Sequence, residues 1–204
     1  VLRMKRIISA VLAFVLMLSL CACVGATNES SAASENDQNA EAAVTSVLVV
    51  CFSATGNTMA IADTIAESLQ ADRFEIVPSE AYSEADLDYN SDCRANREQN
   101  DDNARPGFVG AIENIEQYNT VFLGYPIWWG KLPKILYTFL EQYDFSGKTV
   151  IPFCTSGGSG ISTSVAEIRT LQPGAEVNDG RRFAAGTDTE TIQEWLDEFD
   201  LPMA

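Results

Sequence analysis

Continuous apolar runs, separated by amphipathic stretches, mark the chain from residue 47 onward. Residues 47–52, 121–125 and 149–154 are such runs, and each has the length and composition of a strand buried on both faces of a parallel sheet. Residues 73–77, followed by Pro78, are a further candidate strand. Pro152 lies inside the third run, where it removes a backbone donor, and the sequence offers only a bulge to explain it.

Apolar residues at helical spacing follow the strong strands. The stripes are Ile61, Ile65 and Leu69; Leu132, Ile135, Leu136, Phe139 and Leu140; Ile161, Val165 and Ile168; and Ile192, Trp195, Leu196 and Phe199. Asp188 or Thr189 is the predicted cap of the last helix. This alternation predicts an α/β fold, a three-layer, doubly wound parallel sheet with right-handed crossovers. Ligands of such sheets bind beyond the carboxyl ends of the strands, so the loops there are the candidate site.

A basic, apolar leader precedes this region. Lys5 and Arg6 are followed by an uncharged stretch from residue 7 to 26, so residues 1–23 are predicted to be an export signal. The signal ends in Leu-Cys-Ala-Cys, which resembles the lipobox of bacterial lipoproteins, with Cys23 as the lipidated residue. An uncleaved anchor helix and a secreted protein are the alternatives. With either anchor, the body lies on the extracytoplasmic face of a bacterial cell membrane.

The composition changes after the leader. Residues 24–46 are rich in Ser, Asn, Ala and Glu and contain no aromatic residue, which predicts a flexible tether. Residues 47–204 then form a single folded domain.

The overall composition restricts the chemistry. The 204 residues include 13 Lys and Arg against 29 Asp and Glu, a net charge of −16, and no histidine. Scattered basic residues in an acidic chain disfavour binding to nucleic acid. Without histidine, Ser-His-Asp and Cys-His catalysis and imidazole metal sites are excluded. Chemistry must come from other side chains or from a cofactor.

The loop after the first strand is rich in hydroxyl groups. It comprises Ser53, Ala54, Thr55, Gly56, Asn57 and Thr58, and it leads directly into a predicted helix. Its hydroxyls, its amide and the free N–H groups of the helix can surround a phosphate. It lacks the Gly-Lys-Ser/Thr ending of a Walker A loop, which disfavours hydrolysis of nucleoside triphosphates. The alternative is an ordinary polar capping turn.

This loop resembles the FMN phosphate loop of flavodoxins. It keeps the Thr-x-Thr-Gly-x-Thr type of pattern, except that Ser53 takes the first place. The resemblance spans essentially the whole body, and it implies a flavodoxin-like, five-stranded sheet of order 2-1-3-4-5 with FMN at the switch in strand order.

Two further loops fit this resemblance. The loop at residues 124–130 looks like the isoalloxazine loop of short flavodoxins, with Pro126, Ile127, Trp128, Trp129 and Gly130 as cofactor-binding residues. Either indole is a good partner for a flat ring, although the pair is also typical of a hydrophobic lid. The loop at residues 154–160 would supply backbone donors to the ring edge from Thr155, Ser156, Gly157, Gly158 and Gly160. By itself it is equally typical of a flexible connection.

The third loop departs from the pattern of many flavodoxins. No aromatic residue lies between Thr155 and Thr170, so one face of the flavin would be open or covered from elsewhere. Tyr82 and Tyr89 are candidates, but an exposed position in a long acidic loop is favoured for both. That loop, residues 79–107, is too long for a simple crossover and is a candidate to flank the flavin or a partner.

Charged and thiol groups in the body have mostly structural interpretations. Arg94, Arg97 and Arg105 are expected to pair with nearby acids rather than to clamp an anionic substrate. Cys51 and Cys154 lie in apolar strands and are expected in the core, which leaves Cys93 as the one cysteine of the body that is a candidate for reactivity.

Three functional hypotheses result. The first is an FMN-binding electron-transfer protein, tethered outside the cytoplasm, that exchanges electrons with redox partner proteins or a small donor or acceptor. The second is an FMN-dependent NAD(P)H:quinone or flavin reductase, which an open flavin face would suit. The third is a non-catalytic binding module that keeps the fold.

Overall fold

The computed structural model describes residues 46–201. The predicted export signal at residues 1–23, its Cys23 and nearly all of the predicted tether lie outside these residues. Within residues 46–201, no helix has the length and the apolar character needed to cross a membrane.

Strands and helices alternate along the described chain. In order they are β1 (Val47–Cys51), α1 (Asn57–Leu69), β2 (Asp72–Glu75), β3 (Val77–Pro78), α2 (Arg94–Asn100), β4 (Phe108–Val109), β5 (Thr120–Pro126), α3 (Lys134–Gln142), β6 (Thr149–Thr155), α4 (Ser162–Leu171), β7 (Glu176–Val177), β8 (Arg181–Phe183) and α5 (Thr189–Leu196). Short 3-10 turns lie at Ala85–Leu87 and Ile115–Gln117.

The main sheet is parallel throughout. Its order is β2-β1-β5-β6-β7, and β8 also pairs with β6, beyond the end of β7. Because β7 and β8 together occupy one position, the sheet has five places in the order 2-1-3-4-5. The predicted doubly wound, flavodoxin-like topology is confirmed.

Two apolar layers enclose this sheet. Residues of β1 alternate between the layers: Val49 packs with α1 and α5 on one face, and Val50 packs with α3 and α4 on the other. The strands are therefore buried on both faces, which is why they are continuous apolar runs in the sequence. The apolar stripes of α1, α3, α4 and α5 all face the sheet, as predicted.

Pro152 has a structural reason that the sequence did not reveal. Neighbouring Val150 accepts a hydrogen bond from Asn178, so alternation along β6 turns the nitrogen of Pro152 toward the same strand position. That position is interrupted between β7 and β8, where Gly180 has a φ of +70°. A proline thus lies where the neighbouring strand is broken, and the suggested bulge is an interruption in the partner strand.

The segment between β2 and β5 differs most from expectation. β2 ends at Glu75, and Val77–Pro78 pairs in antiparallel fashion with Phe108–Val109 in a separate two-stranded sheet. The predicted strand at residues 73–77 is therefore wrong in its second half. The long polar segment also contains α2, whose Ala95 reaches the core.

Candidate functional site

The three predicted loops meet at one edge of the sheet. β1 and β5 are neighbours, yet α1 and α3, the helices that follow them, pack on opposite faces. The switch in strand order opens a crevice between the loops. A cavity of about 360 Å³ lies there, lined by Ala54, Thr55, Asn57, Leu87, Tyr89, Pro126, Ile127, Trp128, Trp129, Thr155, Ser156, Gly157, Ala184 and Ala185.

The first loop presents an uncapped helix end to this cavity. α1 begins after Gly56, whose φ of +84° suits glycine, and within the described residues no side chain caps its N-terminus. Asn57 Nδ2 donates to Thr55 Oγ1 at 3.1 Å, so both polar side chains are held beside the free N–H groups. Unpaired N–H groups, a helix dipole and a hydroxyl together favour an anion such as a phosphate.

Thr58 has a different place from the one predicted. Its side chain is buried, and its Oγ1 lies 2.6 Å from Oγ1 of Thr155. The hydroxyl therefore joins the first loop to the third instead of facing the cavity.

The second loop is a tight turn with an unusual backbone. Trp128 and Lys131 exchange two backbone hydrogen bonds, and Trp129 and Gly130 between them have φ values of +48° and +76°. Positive φ at both central positions is typical of a type I′ turn, and it is strained at a bulky residue such as tryptophan.

The two adjacent tryptophans have different environments. Trp128 is only 5% exposed and packs edge-on against Phe52 and Tyr82, with ring centroids 5.3 and 5.1 Å away. Trp129 is half-buried and lies against Tyr89, with centroids 4.5 Å apart. Trp129 is therefore the indole available to a ligand, whereas Trp128 belongs largely to the core.

The third loop is held by its own hydroxyl and by the neighbouring strand. Ser156 Oγ accepts from the Gly158 N–H at 3.0 Å and donates to the Ser159 carbonyl at 2.7 Å. Arg182 Nη1 donates to the Ser156 carbonyl at 2.9 Å. Added Cβ atoms at Gly157 and Gly158 would meet nothing within 4 Å, so these glycines leave open space beside the backbone.

Most of the sequence-predicted residues line the cavity, and the others lie in the same loops. Those outside the lining are Ser53, Gly56, Thr58, Gly130, Gly158 and Gly160. Sequence reasoning missed Leu87, Ala184 and Ala185 and favoured a solvent position for Tyr89. Tyr89 is indeed 57% exposed, yet it lies at the cavity beside Trp129. The Ser83 and Asp86 pair, whose side chains hydrogen-bond at the start of the 3-10 turn, was the available signal for order in this segment.

Within the described residues, the cavity lining carries no charged side chain. Arg94 and Arg97 pair with Glu98 and Asp92 as predicted, while Arg105 forms a two-bond pair with Glu141, which was not predicted. None of the three arginines lines the cavity. A phosphate here would be held by N–H groups and hydroxyls rather than by a guanidinium.

The thiols are protected by burial. Cys51 and Cys154 are core residues as predicted, and burial raises the pKa of Cys154 to about 12. Cys93, the predicted reactive candidate, is 5% exposed, and its Sγ accepts a hydrogen bond from the Asn96 N–H at the start of α2. This environment is that of a structural residue, which argues against the predicted reactivity.

Similarity to known proteins agrees with the fold. A family model described as flavodoxin matches residues 46–199, and the chain belongs to the flavodoxin family. None of the curated proteins matches it. A protein assigned as a flavoprotein from Bacteroides uniformis is 40% identical with a TM-score of 0.71, over 74% of this chain and 97% of that one. A similarly assigned protein from Bacteroides eggerthii is 38% identical with a TM-score of 0.70, over 77% and 99% of the two chains.

A more distant structure shares the fold. It is a flavoprotein from Lactobacillus acidophilus solved in complex with FMN, 23% identical with a TM-score of 0.56, over 74% of this chain and 99% of that one. At this level of identity the likeness shows the fold alone.

Proposed function

We propose that this chain binds FMN non-covalently in the cavity between its three loops and transfers electrons. The observation that carries the proposal is the juxtaposition of an uncapped helix N-terminus, with Thr55 and Asn57 beside it, and the half-buried Trp129. One end of the cavity suits a phosphate and the other suits a flat aromatic ring. The assignment of the Bacteroides relatives as flavoproteins and the FMN in the Lactobacillus structure support it.

Each loop has a distinct role in this proposal. The N–H groups at the start of α1 and the Thr55 hydroxyl hold the phosphate. Trp129 stacks on the ring, and the backbone of residues 155–157 donates to its polar edge. Bound FMN supplies one- and two-electron redox chemistry, while the protein positions it and excludes water. A neutral cavity lining leaves the tuning of the redox potential to hydrogen bonds and to charges outside the lining.

The second candidate is an FMN-dependent reductase for quinones or flavins that uses NAD(P)H. It is favoured by the third loop, whose lining residues Thr155, Ser156 and Gly157 offer no aromatic cover. The sequence contains no additional dinucleotide-binding pattern, which favours the electron carrier.

The proposed location is the extracytoplasmic face of the membrane, with a lipid on Cys23. The support is the basic, apolar leader and its lipobox-like end. Redox partner proteins or a small donor or acceptor would meet the chain there. Loss of labelled palmitate from a Cys23→Ala variant, expressed in bacteria, would support this location, and unchanged labelling would contradict it.

The deciding experiment is a flavin titration of the purified chain followed by stepwise reduction. We expect FMN to remain bound after gel filtration and a semiquinone to accumulate. Direct two-electron reduction by NAD(P)H would favour the reductase, and no retained flavin would leave the non-catalytic module.

A matched pair of variants tests the phosphate end. Thr55→Ala should weaken the binding of FMN. It should leave the affinity for riboflavin, which lacks the phosphate, unchanged. Thr64→Ala is the control, because this threonine lies within α1, outside the cavity lining, and its hydroxyl donates to the Ala60 carbonyl.

A further inference from the structure

Two buried glutamines lie at opposite ends of α3 and make equivalent bonds. Gln99, from α2, is 3% exposed, and its Nε2 donates to the carbonyls of Trp128 and Leu132, both at 3.2 Å. Its Oε1 accepts from the Lys134 N–H at 2.9 Å. One side chain thus holds the first residue of the tryptophan turn, the residue that follows the turn and the first residue of α3.

Gln172, at the end of α4, is 8% exposed and repeats this pattern at the far end of α3. Its Nε2 donates to the carbonyls of Leu140 and Tyr143, and its Oε1 accepts from the Phe145 N–H. Each glutamine therefore satisfies two carbonyls and one N–H. They differ in that only Gln99 contacts backbone next to the cavity.

The turn that Gln99 holds needs such support. Trp129 and Gly130 both have positive φ. This conformation is energetically unfavourable for tryptophan, so it persists only when the surrounding structure fixes it. Glu167 provides a second support, because its Oε2 accepts from the Leu132 N–H at 2.9 Å. Without the Gln99 amide, the carbonyls of Trp128 and Leu132 would lose a buried donor and the turn would gain alternative conformations.

We propose that Gln99 is a positioning residue for the flavin site. Its amide fixes the Trp128–Lys131 turn and so presents the Trp129 indole in one orientation. The inference rests on the proposed binding of FMN and extends it to a residue that lies outside the cavity lining. A fixed indole needs no ordering when the ligand binds, so the effect of Gln99 is on flavin affinity and on the potential of the bound flavin.

The test compares Gln99→Leu with Gln172→Leu in the full chain. Both remove the same set of bonds, so both should lower the urea midpoint of the flavin-free protein. Only Gln99→Leu should weaken the binding of FMN, by roughly 3- to 10-fold, because the effect cannot exceed the loss of the stacking that the oriented indole provides. For Gln172→Leu the change should stay below about 3-fold, as expected for a distant site. With Gln99→Leu, the affinity for riboflavin should fall as much as the affinity for FMN, because the contact with the ring and not the contact with the phosphate is affected.

A readout independent of stability completes the test. The reduction potential and the visible circular dichroism of the bound flavin should change with Gln99→Leu and not with Gln172→Leu. If Gln99→Leu does not fold, Gln99→Glu and Gln172→Glu replace the pair. Gln99→Glu keeps an oxygen that accepts from the Lys134 N–H, but it replaces the amide donor that faces the carbonyls of Trp128 and Leu132 with a second oxygen.

The outcomes separate this inference from the proposed function. Wild-type chain that binds no flavin overturns both. Wild-type chain that binds FMN, together with equal flavin affinities, potentials and spectra in the two members of a pair, overturns the role of Gln99 alone.

Discussion

The hydroxyls of Thr58 and Thr155 lie 2.6 Å apart in a buried position and join the start of α1 to the end of β6. Their residues are 97 positions apart in sequence, so this bond ties the proposed phosphate loop to the proposed ring loop. Either hydroxyl can be the donor. If one hydroxyl is removed, the other is left buried without its partner.

This pair predicts a non-additive loss of stability. Thr58→Val or Thr155→Val alone should lower the free energy of unfolding of the flavin-free chain by about 1–3 kcal/mol, because one buried hydroxyl loses its partner. The double variant should lose less than the sum, because no unpaired hydroxyl remains. Urea unfolding of the four proteins measures the coupling.

Thr64→Val is the control for this cycle, since its exposed hydroxyl bonds to the carbonyl of Ala60 in the same helix. It should change stability by no more than about 0.5 kcal/mol. Strictly additive losses from the Thr58 and Thr155 substitutions would contradict the coupling.

Gly180 predicts a second, purely steric effect. An added Cβ at this residue would lie 2.3 Å from the Pro152 carbonyl oxygen, and its φ of +70° already disfavours a side chain. Gly180→Ala should therefore lower the free energy of unfolding by about 1–2 kcal/mol through backbone strain. Displacement of β6 adds about 1–3 kcal/mol more. Thermal or urea unfolding measures both.

Gly186 separates the two costs. Its φ of +74° is similar, but an added Cβ would meet nothing within 4 Å. Gly186→Ala should show only the strain, about 1–2 kcal/mol. Equal losses at the two glycines would show that the close approach to Pro152 has no energetic consequence.

Local pattern was sufficient for those parts of the fold whose burial is two-sided or periodic. The apolar runs of β1, β5 and β6 and the helical stripes after them are readable because each residue's burial depends on its own element. The fifth sheet position is different. Its two pieces, Glu176–Val177 and Arg181–Phe183, are short and mostly polar, and they are strands only because β6 pairs with them.

The site divides in the same way. Its three loops were predictable because each directly follows a strong strand, and parallel strands bring their carboxyl ends together. Tyr89 and Gln99 were not assigned to it, because both come from the long segment between β2 and β5, whose path depends on distant contacts. Gln99 bonds to backbone 29 to 35 residues away, and polar residues in a polar segment give no sign of such burial.

Asp188 predicts a pH-dependent contribution to stability. Its carboxylate accepts from the Thr191 N–H at 2.8 Å at the start of α5, and this bond lowers its pKa below the ordinary value of 3.8. The folded state thus binds the proton more weakly than the unfolded state. The stabilisation is fully present above pH 3.8 and is lost as the pH falls through the lowered pKa.

The stability difference between wild type and Asp188→Ala should therefore be clear near neutral pH and shrink in acid. Urea unfolding at about pH 6 and about pH 2.5 measures it. Asp188→Asn is the control, because its amide oxygen caps the helix without titrating. The same difference between wild type and Asp188→Ala at both pH values would contradict the role of the charge.

The two tryptophans predict opposite balances of stability and binding. Trp128→Ala should lower the free energy of unfolding by about 3–5 kcal/mol, because a core side chain is removed. Trp129→Ala should cost only about 1 kcal/mol of stability, since its indole is half-buried against Tyr89. The same substitution should weaken the binding of FMN by about 0.5–1.5 kcal/mol, or roughly 2- to 10-fold in affinity, because the stacking contact is lost.

Flavin titrations and urea unfolding on the same preparations separate these effects. Trp129→Phe is the matched control: it keeps an aromatic ring at the turn and should retain more of the FMN affinity than Trp129→Ala. Trp128 also lines the cavity, but it packs edge-on against Phe52 and Tyr82, so its substitution changes the core together with the site and is not the test of stacking. Undiminished FMN affinity in Trp129→Ala would exclude this indole as the stacking partner, whatever the stability of the variant.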